Sequence, residues 1–113
     1  MRLIFSLRYL LAFLLITPSL SHAGGWSGSS VISSVGVSAG YIIVPGDHDP
    51  GNPDFCEKGL PLVVDNERAD YSEIYALLVA SFLQGKQVDI YVQGCIDYSG
   101  KTRPRITAVT AMN

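Results

Sequence analysis

YSEIYALLVASFLQGKQVDIYVQ, residues 71–93, decides the fold class, because its apolar spacing changes period partway along. Tyr71, Ile74, Tyr75, Leu78 and Phe82 recur at helical intervals, and Leu77 and Ser81 widen the stripe. Asp70 and Glu73 stand where a capping box places its N-cap and third residue. Gly85 follows as a C-cap. The spacing predicts a helix over 71–84 that packs Tyr71 and Tyr75 into a core. From Gln87 to Gln93 the period falls to two: Val88, Ile90 and Val92 point one way, and Asp89, Tyr91 and Gln93 the other. That is a half-buried strand.

Working outward, Val31 to Val44 reads as two strands, one alternating through Val31, Ser33, Val35 and Val37, the other Tyr41–Val44, with a tight turn at Ser38-Ala39-Gly40. Pro45 to Asp54 (PGDHDPGNPD) is too rich in proline and glycine for a ladder or a helix and reads as a loop. Leu60 to Val64 is a strand whose Pro61 places it at an edge or at a strand start. Gly94 to Pro104 reads as a polar connection, and Arg105 to Met112 as a last strand with Ile106, Ala108, Thr110 and Met112 on one face. The expected fold is mainly β with one helix between strands 3 and 4 of five, the layout of an OB-fold-like barrel. The alternative is an open α+β sheet packed on the helix.

Residues 1–23 carry the marks of a cleavable export signal: Arg2 and Arg8, the apolar run Leu10–Ile16, Pro18 as a break, and small residues at Ser21 and Ala23. The run is short of the roughly 20 residues a bilayer requires. The mature chain then begins near Gly24 as one domain, 24–113, secreted or periplasmic, with no transmembrane segment. Cys56 and Cys95 are its two cysteines. In an oxidising compartment they form one disulfide, worth about 4 kcal/mol in the chain-entropy picture; the alternative is two free buried thiols. Without the leader, six Lys/Arg face ten Asp/Glu, a net charge of −4. Export and acidity both oppose nucleic-acid binding.

Residues 71–93 resemble the helix-then-strand block of the receptor-binding B subunits of subtilase cytotoxin and typhoid toxin. Asp54-Phe55-Cys56 is similar to their aromatic-Phe-Cys segment, Trp26-Ser27-Gly28 to their mature start, and Val31-Ile32-Ser33 to a piece of their first strand. Small exported bacterial proteins of unassigned function share the same outline. The resemblance implies an OB-fold that assembles as a homo-pentamer and binds glycans. Two departures set this chain apart. The Phe-Cys cysteine has only Cys95 as a partner, after the later strand. The segment in which those subunits carry a sialic-acid-contacting serine is also missing, with Ser29 and Ser30 nearby.

Several residue groups offer chemistry. Asp47, Asp49, Asn52 and Asp54 put hard oxygens within one loop, the kind of ligand Ca²⁺ takes, but without EF-hand spacing; the plainer reading is a solvated loop of turn-forming residues. His48, the one histidine of the mature chain, reads as exposed on that loop. Lys101, Arg103 and Arg105 alternate and form a basic patch, for an acidic glycan or a partner carboxylate, or simply as solubilising charge. Trp26, Tyr91 and Tyr98 are the aromatic candidates for a binding surface, since rings stack on sugar faces and tyrosine adds a hydroxyl. No G-x-S-x-G, H-E-x-x-H or Walker motif occurs, so no catalytic residue, cofactor or metal is expected. The expected function is an exported binding module for a glycan or cell-surface partner, built on Trp26, Ser29, Ser30, Tyr91, Tyr98 and Arg103. An envelope accessory protein acting through protein contacts is the alternative.

Overall fold

A computed structural model describes residues 23–46 and 48–112. The expected leader thus lies outside the described residues except for Ala23, and so does Asp47. Among the described residues the chain is mainly β with one helix. Its strands are β1 (Gly25–Trp26), β2 (Ser30–Val31), β3 (Gly36–Ser38), β4 (Tyr41–Val44), β5 (Leu62–Val64), β6 (Gln87–Tyr98) and β7 (Lys101–Met112), with α1 (Tyr71–Gln84) between β5 and β6. They form one mixed seven-stranded sheet in the order β1-β6-β7-β5-β4-β3, with β2 also on β6. The β5–β7 pairing, Val63 beside Arg105, is parallel, and the others are antiparallel. The sheet is not closed.

The helix has its expected bounds, and Gly85 ends it in the left-handed region (φ 65°). The capping box is absent. Asp70 makes no side-chain cap bond; its carboxylate is taken by Arg68, whose Nε lies 2.7 Å from Oδ1 and Nη2 2.9 Å from Oδ2. The same guanidinium donates to the carbonyls of Ile106 and Thr107 on β7. A forked cation that satisfies a carboxylate and two strand carbonyls together ties the start of α1 to the sheet. Only Ile74, Leu78 and Ser81 are buried on the helix. Tyr71 packs against the core and donates its hydroxyl to Gly40 O, but Tyr75 and Phe82 are exposed, contrary to the stripe reading. The helix buries a narrower arc than its apolar spacing offers.

The single strand expected before the Ala39-Gly40 turn is divided. Residues 32–35 separate β2 from β3, and the buried residue there is Ile32, whereas Val31 and Val37 are exposed. Ser27 continues the β1 pairing, its N–H donating to Ile90 O and its Oγ accepting from Ile90 N–H. The hairpin at Ala39-Gly40 stands as expected, with φ 52° and 82°, the positive pair that suits right-twisted strands. The Leu60–Pro61 peptide is cis, and β5 begins just after it, with all three residues buried.

The polar connection expected at 94–104 is a continuation of β6 and β7, joined by a second two-residue turn at Ser99-Gly100 (φ 54° and 81°). Two bulges interrupt the ladder. Tyr91 faces Ala108 and Val92 faces Ile106, so Thr107 is an extra residue on β7; between Val92↔Ile106 and Cys95↔Pro104 the extra residue is on β6. The first bulge corrects the expected face of β7: Ile106 points into the core, but beyond Thr107 the residues packed on the core are Val109 and Ala111. The core is Ile32, Ile42, Val44, Leu62, Val64, Ile74, Leu78, Val88, Ile90, Val92 and Ile106. Each such aliphatic side chain contributes about 1.5–3 kcal/mol when fully buried.

The Arg68 hydrogen bond, with the charge behind it, holds the Asp70 carboxyl below its ordinary value of 3.8. Ionised Asp70 therefore stabilises the fold above that pH, and the contribution disappears as pH falls through the lower folded-state value. Asp70→Asn should lower the melting temperature at neutral pH, and the gap from wild type should close in acid. Melting curves from pH 7 to pH 2 check this; a gap that stays constant would refute it.

Candidate functional site

Outward of the core, β1 and β6 place two aromatic rings side by side. The register pairs Trp26 with Tyr91, and their ring centroids lie 5.1 Å apart at 50°. Tyr91 stands on the face opposite Ile90 and Val92, as the alternation predicts, and Trp26 is 51% exposed. Contact distances of this kind are attractive for aromatic pairs, and the tilted rings leave faces open to a ligand. The Tyr91 hydroxyl donates to Ala23 O at 3.0 Å.

Beside this pair lies the loop 45–56, braced almost entirely by side chains. Asn52 brackets Cys56, its Nδ2 donating to the carbonyl and its Oδ1 accepting from the N–H, both at 2.9 Å. Asp54 bridges two strands: Oδ1 accepts from Gly24 N–H at 3.2 Å, and Oδ2 from Gly94 N–H at 2.7 Å. Gly94 is the residue of the β6 bulge with positive φ (73°), which turns its N–H toward the loop. The Cys56–Cys95 disulfide closes the frame. Asp49 Oδ1 accepts from Gly51 N–H. Of the oxygens considered for calcium, those of Asp49, Asn52 and Asp54 accept from backbone N–H groups of the loop and of Gly24 and Gly94, while Asp47 lies outside the described residues; among the described residues no group of three or more His, Cys, Asp or Glu could hold a metal.

His48 corrects the sequence reading. It is 1% exposed, with Nε2 at 3.0 Å from both Ser30 Oγ and Ser30 O and 3.1 Å from Val88 O. Two carbonyl acceptors at one ring nitrogen require that nitrogen to carry the hydrogen. His48 therefore pins the loop to the β2–β6 pair. Ser30 turns toward it, while Ser29 is exposed beside Met112.

Tyr98 and Arg103 form a separate cluster. Arg103 sits 5.3 Å over the Tyr98 ring, and Tyr41 meets that ring edge-on. Tyr91 and Tyr98 are seven positions apart on β6, about 20 Å at strand rise, so a small ligand cannot span both. The basic patch is engaged within the molecule: Arg103 donates to Tyr98 O and Leu60 O, Arg105 to Cys95 O, and Lys101 pairs with Glu57 at 3.7 Å.

One residue escaped the sequence reading as a surface feature. Phe55 is 91% exposed with φ 54°, a backbone region that bulky residues avoid. Neighbouring Asn52, Asp54 and Cys56 are all fixed, so the frame holds the ring out in solvent. Its place in a polar, proline-rich loop was the available signal.

The comparisons add no relative: no protein-family profile, curated protein or solved structure matches the chain. Among the described residues no helix is long and apolar enough to cross a membrane.

Two stability measurements test this frame. His48→Ala strands two buried carbonyls and should cost about 2–4 kcal/mol in urea unfolding, with His48→Gln, which returns an N–H donor, recovering part of it. Replacing Cys56 and Cys95 together by alanine should cost about 2–5 kcal/mol. A loss below 0.5 kcal/mol in either case, by the same unfolding measurement, would contradict the bracing described (~0.5 kcal/mol being typical of inert surface changes).

Proposed function

We propose that this protein is an exported binding module that recognises a glycan through the Trp26–Tyr91 face. The reading rests on one observation: a half-exposed indole in tilted contact with a tyrosine on the outer face of the sheet. An aromatic platform binds a sugar by covering its apolar C–H face, while a phenol orients its polar edge. The site works by complementarity and carries out no reaction.

The fold reading that accompanies it is OB-like. The two ends of the sheet path, β1 and β3, belong to one stretch, 25–38, so the backbone itself joins the edges that hydrogen bonds leave open. On the sequence resemblance to the toxin B subunits alone, a ring of five subunits is the assembly that accompanies this reading. A second reading is favoured by Phe55: an envelope protein partner with a pocket for that ring.

Trp26→Ala and Tyr91→Ala should each weaken glycan binding at least tenfold, about 1.4 kcal/mol, with Tyr98→Ala neutral. Screening a broad glycan array with the disulfide-intact protein, then titrating any hit against the three variants, decides the matter. Absence of binding across the array would sink the glycan reading and leave the Phe55-directed partner.

A further inference from the structure

We propose that cleavage after Ala23 creates part of the folded structure: the new α-ammonium of Gly24 forms an ion pair with Asp54, and loss of Ala23 uncovers the Tyr91 hydroxyl. The inference rests on the export reading of residues 1–23. The reaction is hydrolysis. Water is consumed, the Ala23–Gly24 peptide bond breaks, the carboxylate leaves with the leader, and the amine stays on Gly24 and takes up a proton.

Three observations converge on this bond. Gly24 N already lies 3.2 Å from Asp54 Oδ1, in a partly buried position. Converting that N–H into an ammonium gives the Asp54 carboxylate a cationic donor in place of a neutral one, so that both partners of the hydrogen bond are ionised. The other Asp54 oxygen holds Gly94 at the β6 bulge, so the ammonium is linked through one carboxylate to the bulge and to the Phe55-Cys56 turn. Ala23 O, on the other side of the scissile bond, is the acceptor for Tyr91 Oη. Once Ala23 departs, that hydroxyl is released beside Trp26, on the face assigned to ligand.

The identity of residue 24 fits. It has φ +68°, and a Cβ there would strike the Tyr91 hydroxyl and lie 2.7 Å from Val92 O. Only glycine brings its nitrogen this close to Asp54 while leaving Tyr91 in place. Among the described residues, Asp54 from the loop and Tyr91 from β6 are the titratable groups shown in contact with Gly24.

The test uses the full chain expressed in an exporting host. Intact mass of the recovered protein should place its first residue at Gly24. Titration of its α-amine by NMR should give a pKa about one unit above the ordinary 7.7–8.0. The ammonium then stabilises the fold below the ordinary value, and that contribution is lost as pH rises through the raised one. In Asp54→Asn the amine should titrate normally. A variant with one extra alanine inserted between Ala23 and Gly24 keeps Asp54, guards against a misfolded Asp54→Asn protein, and should show an unshifted amine and a lower melting temperature. An ordinary amine pKa in protein that begins at Gly24 overturns the ion pair while leaving the export reading intact. A mass that places the first residue elsewhere overturns both.

Discussion

Strand β6 is the constraint on which the rest of the structure depends. It sends Val88, Ile90 and Val92 into the core and is paired along both edges, with β1 and β2 on one side and β7 on the other. A strand in that position has a fixed register, since a slip by one residue would expose its whole apolar set. Everything placed against it inherits that precision. Trp26 meets Tyr91 because Gly25 meets Val92, and Cys95 reaches Cys56 because the bulge at Gly94 adds a residue before it.

The polar residues have a common role in this molecule. The strands away from the β6–β7 hairpin are short, and a small domain buries limited apolar area. Side chains supply the missing ties: His48 to the β2–β6 pair, Asn52 around Cys56, Asp54 between Gly24 and Gly94, Arg68 between α1 and β7, Arg103 to Leu60. Polar bonds of this kind are directional, and they fix the loop that holds Phe55 out in solvent beside the Trp26–Tyr91 pair.

Local patterns were readable in the sequence, and features set by distant partners were not. The helix over 71–84 follows from one stripe and one glycine, both within the segment. The aromatic position of Tyr91 on the polar side of its strand follows from alternation. His48 could not be placed, because its burial depends on carbonyls of Ser30 and Val88 brought in by the sheet. The face of β7 was misread for a related reason: alternation assumes unbroken register, and Thr107 breaks it. Gly94 marks an irregularity, but within a strand, while the true turn is the Ser99-Gly100 pair a few residues on. Asp70 has the composition of a cap and serves instead as the counter-ion of Arg68, a choice that only three-dimensional proximity decides.

The chain order of the strands also bears on how the protein is made. Apart from the local β3–β4–β5 unit, every strand pairs with β6 or β7, which follow all the others in chain order. Until residues 87–112 emerge, the segment 24–31 has no partner, and the apolar faces of β4 and β5 have nothing to close over them. Non-local pairing of this kind delays folding. On the export proposal such a delay suits a chain threaded through a pore in extended form: the topology keeps residues 24–64 from closing until the β6–β7 hairpin has followed them.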